Sequence, residues 1–557
     1  MRRRKSITLL FVGILLCAGC SEQFSSQTIL FNGKIFTSQN EDHFVSALAI
    51  SNRKIITAGN DEEVLAHRTN NTRIIDLKGK TVLPGFHDAH LHFWSGAYLA
   101  IQLNLLGLSS KAEVLQKVAD AAALQEAGEW ILGRGWDHEL WEGKELPNHD
   151  DLDHVTTAHF VYLKRVDGHT VWVNQKVLDL LNYDNETPDP PGGKIIKDPQ
   201  SGKPTGILVD TAFDTLEKII SLPSPEIRTR VLHQAIQYAN SLGITSITDN
   251  SDAQLFENYA QLFRQNDLTL RINFWIYGDQ NLDSLRNLFS KFSVDDKFLN
   301  CRLTKFFVDG SMGSRSAYLH EPYRDDPTNT GLLQHPRETL FSLLKTAYQG
   351  DWYIGVHAIG DAGNTLVLDV YEDLIKDRPD SENRLRIEHV QFIQPEDIKR
   401  LAQLGIIASM QPTHCISDMK WVENRIGERA RYTYSWRSIL DQQIPLAFGT
   451  DWPVEPLDPL IGLYAAVTRR DTLGNPDGGW YPAQCLTVGE AVYAYTAGSA
   501  YAVGAESWLG RLLPGYAADL VILDRDIFSL PPQEILKTRV LLTYLDGKEV
   551  FNREKLN

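Results

Sequence analysis

Thr81-Val82-Leu83-Pro84-Gly85-Phe86-His87-Asp88-Ala89-His90-Leu91-His92 is the stretch on which the reading of this chain turns. It begins apolar and ends in two imidazoles, the profile of a strand running from Val82 to His92 that leaves a buried sheet at its C-terminal end. Side chains alternate along a strand, so His90 and His92 project to one side, where two imidazoles can share a metal ion. Such pairs also arise by chance in a chain with 16 histidines, so the weight of this one depends on what lies further along.

Downstream, helices alternate with short apolar strands. Ser224-Pro225 supplies a cap and a first-turn proline, and Ile227, Val231, Leu232, Ala235, Ile236, Ala239 and Leu242 keep helical spacing until Gly243. Ile244 to Asp249 then reads as a strand, and the alternation repeats with strands near residues 271–276, 303–308, 353–357, 385–389, 406–410 and 446–451. With the strand before His90 these make eight β/α units. They predict an α/β fold, a closed (β/α)8 TIM barrel, whose chemical groups sit at the C-terminal ends of the strands.

The polar residues at those ends bear this out as a pattern: His90 and His92 after strand one, His357 after five, His389 after six and Asp451 after eight. All are metal-ligand types. Lys305 lies among apolar neighbours in strand four, where a bare ammonium is costly to bury and repels a metal ion. A neutral lysine amine can add carbon dioxide, and the resulting carbamate has two oxygens able to bridge two cations; an unmodified lysine would leave a mononuclear site.

The ends of the chain differ from its middle. Short strands with turn chemistry fill residues 27–82, and similar ones fill 509–557, so both termini are expected to build one composite β-sandwich. Residues 83–97 hold the first barrel strand and 223–508 the rest of the barrel. Residues 98–222 are far longer than a βα crossover, which needs only a dozen or more, and are expected to form an inserted α/β subdomain. A length of 557 residues fits several cores, and a formal charge of −16 gives no footprint for phosphate backbones, which excludes nucleic acid as a partner.

Arg2-Arg3-Arg4-Lys5 followed by the apolar run Ile7 to Leu16, too short to span a bilayer, reads as a signal peptide over residues 1–19. Leu16-Cys17-Ala18-Gly19-Cys20 resembles a bacterial lipobox, which implies lipidation at Cys20, a tether over 20–26 and membrane contact through the anchor alone; ordinary secretion is the alternative. Ser21 after the cysteine points to a cell-envelope lipoprotein on the periplasmic side of an outer membrane. Cys301, Cys415 and Cys485 are odd in number and widely spaced, so they read as small buried hydrophobes.

The order His-x-His, Lys, His, His, Asp at strands one, four, five, six and eight resembles the amidohydrolase superfamily. Within it the chain is similar to the branch of YtcJ-like proteins and N-substituted formamide deformylases. The supporting runs are residues 84–92, Gly133-Arg134-Gly135-Trp136-Asp137, Arg165-Val166-Asp167-Gly168-His169, residues 305–311, Val356-His357-Ala358-Ile359-Gly360-Asp361, Arg386-Ile387-Glu388-His389 and Gly449-Thr450-Asp451-Trp452-Pro453.

The resemblance implies one or two divalent ions, zinc by default although imidazole suits iron, copper and nickel as well. One ion would take His90, His92 and Asp451, the other His357 and His389, with carboxylated Lys305 bridging. A metal-bound hydroxide would attack a carbonyl while Asp451 moves the proton. The implied substrate is a small molecule with a non-peptide C–N bond, an amide or N-substituted formamide, and a homodimer is compatible with the family. The alternatives are ester, lactone or phosphotriester hydrolysis at the same site, and a lipid-anchored binding protein without catalysis. The insertion is expected over the barrel mouth, with Trp136, Asp137 and His169 as candidate substrate contacts, Trp136 reading equally as a core aromatic. Asp309, Arg315, Gln411 and His414 are further candidates at the same rim, and Glu388, next to His389, is expected to face away from the barrel axis.

Overall fold

The computed structural model describes residues 27–220 and 222–556; the expected signal peptide, Cys20 and the tether lie outside them. The eight barrel strands are β1 (Phe86–Leu91), β2 (Ile244–Asn250), β3 (Arg271–Tyr277), β4 (Leu299–Phe307), β5 (Tyr353–Ala358), β6 (Leu385–His389), β7 (Ile407–Met410) and β8 (Leu446–Phe448). Each pairs in parallel with the next in chain order. The ring is nearly closed between β8 and β1. There the Asp451 N–H donates to the His90 carbonyl at 2.7 Å, the His92 N–H donates to the Trp452 carbonyl at 2.8 Å, and the Asp88 carboxylate accepts from the Thr450 N–H and hydroxyl. Gly449 permits this approach, because a Cβ there would stand 2.5 Å from the His90 nitrogen.

The run from Thr81 to His92 is not the single strand expected. Thr81–Pro84 belongs to another sheet, where it pairs antiparallel with Leu520–Leu523 and parallel with Lys34–Phe36. The chain changes layer at Gly85, where a Cβ would come within 2.2 Å of the Thr245 hydroxyl oxygen. Eleven residues therefore serve two layers, and only the second half faces the barrel. The six-stranded sheet containing Thr81–Pro84 takes strands from both termini, and a four-stranded sheet holds Thr28–Phe31, Ala47–Ser51, Lys54–Gly59 and Arg73–Asp76. Leu30, Leu48 and Ile55 from one sheet pack with Ile35, Val82, Leu520 and Ile522 from the other in one core, which makes the pair a sandwich.

Between β1 and β2 the chain builds a separate six-stranded sheet in the order Gly193–Lys197, Pro204–Asp210, Thr170–Val173, Phe160–Arg165, Trp130–Trp136, Leu103–Asn104. The sheet has its own apolar clusters on its two sides. It meets the barrel through Arg425, a buried guanidinium that pairs with Glu139 of the insertion and with Asp325 of the barrel loop after β4.

Candidate metal centre

Burial at the strand ends sets the chemistry. His90, Lys305, His357, His389 and Asp451 are between 0 and 6% exposed, which leaves water little access to their charges. Burial, the largest influence on each imidazole, pushes His90 below the usual histidine range, His92 down to about 3, and His357 and His389 well below it. All four are neutral at pH 7 and offer lone pairs. Burial alone would raise Asp451, but the interactions led by His414 Nε2, 3.3 Å from its Oδ2, outweigh it and hold the carboxyl well below the usual carboxylate range.

The ring nitrogens are sorted. His90 Nδ1 bonds to Glu388 Oε2 at 2.7 Å, His92 Nδ1 to the Asn250 carbonyl at 3.2 Å and His357 Nε2 to the Gly310 carbonyl at 3.1 Å. Each of these oxygens accepts, so the facing nitrogen carries the proton and the opposite one keeps its lone pair, the arrangement that orients histidine ligands in metal sites. The free atoms converge. His90 Nε2 and His92 Nε2 lie 3.7 and 3.4 Å from Asp451 Oδ1, and the His90 and His357 rings stand 4.9 and 4.5 Å from His389. Asp451 Oδ1 and His389 Nδ1 are buried without a hydrogen-bond partner. Orphaned electron-pair donors of this kind fit a divalent cation, which would be held by His90, His92 and Asp451, with a second set of donors on His389, His414 and Asp451.

Two of these residues hold unusual backbone. His389 has φ of 75° and Asp451 φ of 58°, left-handed values that cost energy for a residue with a Cβ and occur where side chains must be aimed. The turn at His389 corrects one expectation. Alternation would send Glu388 outward if His389 faces in, yet Glu388 is fully buried inside the barrel, paired with Arg386 and His90, because the strand geometry ends at His389. Its burial would raise its carboxyl, but Arg386 and His90 hold it well below the usual range.

Lys305 Nζ lies 3.2 Å from His90 Nε2 and over the rings of Trp275 and Phe307. Burial lowers it to about 8, against the opposing pull of Glu388 and Asp451. The centre opens into a cavity of about 900 Å³ roofed by the insertion. Of the candidate substrate contacts, Asp137, His169 and His414 line it. His169 Nδ1 bonds to Asp210 Oδ1 at 2.6 Å, and Asp210 outweighs burial to raise the imidazole.

Four candidates lie elsewhere. Trp136 is fully buried in the insertion's own core and donates to the Leu163 carbonyl, because a bulge at Gly135 turns it to the opposite face from Arg134. Arg315 pairs with Asp325. Asp309 accepts the N–H groups of Tyr318, Ile359 and Gly360, so it shapes the loop after β5, and burial raises it to about 7. Gln411 is buried at the start of the helix Pro412–Asp418, away from the cavity lining. Arg386, Asp210 and Arg134 carry no role in the sequence reading, and Glu388 only an outward-facing structural one; the signal for Arg386 and Glu388 was a pair of opposite charges two apart in an apolar strand.

The amidohydrolase family model matches residues 73–551, most of the chain. The chain belongs to the amidohydrolase family. It is 31% identical over 494 residues to the putative amidohydrolase YtcJ of Bacillus subtilis, covering 86% of this chain and 91% of that one. It is 26% identical over 509 residues to the N-substituted formamide deformylase of Arthrobacter pascens, covering 88% and 92%. Among solved structures, an uncharacterized metal-dependent hydrolase from Pyrococcus horikoshii superposes with a TM-score of 0.70 at 30% identity, covering 91% of this chain and 99% of that one. The expected family and barrel therefore hold, and the protein is a metal-binding hydrolase.

A test of this buried environment uses His87, which lies on β1 beside Thr248 and which burial, then Arg386, lowers to about 3. Below pH 6.5 the unfolded chain takes up a proton there that the folded chain refuses, so this contribution to stability is complete above 6.5 and is lost as pH falls towards 3. His87→Asn removes the group. Relative to wild type, the variant is expected to gain about 2 kcal/mol of unfolding free energy between pH 6.5 and pH 5, measured by urea titration of metal-free proteins; a constant difference would contradict the neutral, buried imidazole.

Proposed function

We propose that this amidohydrolase hydrolyses a non-peptide C–N bond, that of an amide or an N-substituted formamide. The observation that carries the reading is the convergence of neutral imidazole lone pairs on the unpartnered Asp451 Oδ1 at the floor of a cavity. The relation to a deformylase acting on N-substituted formamides supports the substrate class. A divalent ion, zinc by default, supplies a hydroxide at neutral pH and polarises a carbonyl when bound in such a site.

The chain's own groups account for the rest. Water adds to the carbonyl carbon, the C–N bond breaks, and acid and amine leave. Asp451, ionised and within reach of His414, takes the proton of the attacking water at its carboxylate and returns it to the departing nitrogen. His169, on the cavity wall 5.1 Å from the His357 ring, donates towards the carbonyl oxygen, its other nitrogen fixed by Asp210. Glu388 holds His90 in the tautomer that leaves Nε2 free. Lys305, whose buried amine is lowered to about 8, would add carbon dioxide at Nζ and release a proton to solvent, giving a carbamate whose oxygens would supply further metal donors beside the imidazoles. The protein acts as a lipid-anchored envelope enzyme attached through Cys20.

Metal analysis combined with turnover of a panel of amides, formamides and esters tests the reaction: bound metal with amide or formamide hydrolysis is expected, and turnover of esters alone would overturn the C–N reading. Lys305→Ala is expected to lose at least about 100-fold in kcat/KM and to recover part of it with added short carboxylic acids; no recovery would count against the carbamate. Cys20→Ser is expected to move the protein from membrane to soluble fraction after export, and unchanged partitioning would refute the anchor.

A further inference from the structure

The buried guanidiniums of the insertion and of its contact with the barrel are paired, with one exception that lines the cavity. Arg165 binds Asp137 and Asp167, and Arg425 binds Glu139 and Asp325. Arg134 is 93% buried and lines the cavity, yet among the described residues no carboxylate reaches ion-pair distance of it. Among the described residues it makes one hydrogen bond, Nη2 to the Val166 carbonyl at 3.3 Å, and its Nε is sealed from solvent without a partner. A guanidinium offers five N–H donors, so most of this one's capacity is unspent.

The backbone is built to aim it. Residues 131 and 133 face the insertion core that contains Trp136, whereas Trp130 and Leu132 face the other side of the sheet. Arg134 continues that second face, and the bulge at Gly135, with φ of 108°, lets Trp136 return to the core while Arg134 stays on the cavity side. Bulges of this kind re-aim side chains beside active sites. Gly168 leaves room, since a Cβ there would stand 3.3 Å from Nη2. The charges that act on Arg134 most strongly include Asp451, and His92 in turn feels Arg134, so the guanidinium and the metal-binding groups border the same space.

A buried, unpaired guanidinium beside a hydrolytic centre is costly unless a ligand supplies the anion. We propose that Arg134 is the receptor for a carboxylate carried by the substrate, which makes the substrate an amide or formamide of an acid-bearing amine. This rests on the C–N hydrolysis proposed above and narrows it. Arg–carboxylate pairing is bidentate and planar, so it fixes orientation as well as charge, and a cavity of about 900 Å³ accommodates such a molecule. Arg134 is thus a specificity residue, set apart from the groups that move protons.

The test uses a matched pair, N-formylphenylalanine and N-formylphenylalaninamide, with the metal-loaded wild type, Arg134→Gln and Arg134→Lys. The wild type is expected to favour the acid over the amide in kcat/KM by about 10- to 100-fold, chiefly through KM; Arg134→Gln erases that ratio and Arg134→Lys keeps part of it. Equal treatment of the pair by the wild type, or an unchanged ratio in Arg134→Gln, overturns the assignment. If neither compound is hydrolysed, the C–N reading fails on its own account, and binding decides this proposal: calorimetric titration of the metal-free proteins with N-formylphenylalanine should show an affinity at least about 10-fold weaker for Arg134→Gln, and equal affinities overturn it.

Discussion

The constraint on which the structure turns is that electron-pair donors are packed together and only partly satisfied by the protein. His90, His92 and His389 surround Asp451, all but His92 nearly sealed from water, and a buried carboxylate oxygen and an imidazole nitrogen lack hydrogen bonds. Desolvation keeps the imidazoles unprotonated, and the same desolvation makes their convergence expensive until a cation is bound. The surrounding shell removes the freedom to relax: Glu388, Asn250 and Gly310 each occupy one ring nitrogen.

The fold answers this constraint by drawing the donors from the ends of several different strands. β1, β5, β6 and β8 bring their last residues to one rim because parallel strands of a barrel all point the same way. Closure between β8 and β1 ties Asp451 to His90 through the main chain, so two donors share one backbone hydrogen bond. The insertion then supplies what the barrel lacks, a wall bearing His169 and Arg134 over an otherwise open mouth.

Much of this was legible because barrels place chemistry at strand ends, where a polar residue after an apolar run stands out. Lys305 was conspicuous for the opposite reason, a charge inside such a run. What escaped were positions governed by departures from regular strand geometry. Glu388 was read by alternation, which fails beside His389 with its φ of 75°, and Trp136 stayed divided between a substrate contact and a core aromatic because nothing in the sequence fixes the face to which a bulge at Gly135 turns it. Asp309 and Arg315 sit close in sequence to Lys305, but one is used by three backbone N–H groups and the other by a nearby aspartate, partners that only the folded loop brings together.

The composite sheet carries a consequence for biogenesis. Thr81–Pro84 leads directly through Gly85 into the strand bearing His90 and His92, and its antiparallel neighbour is Leu520–Leu523, more than four hundred residues later. During synthesis His90 and His92 emerge long before the segment that pairs with the strand leading into theirs. The nascent polypeptide therefore carries an unfinished ion pocket through several hundred residues of elongation, and competence to load waits for the strand Leu520–Leu523.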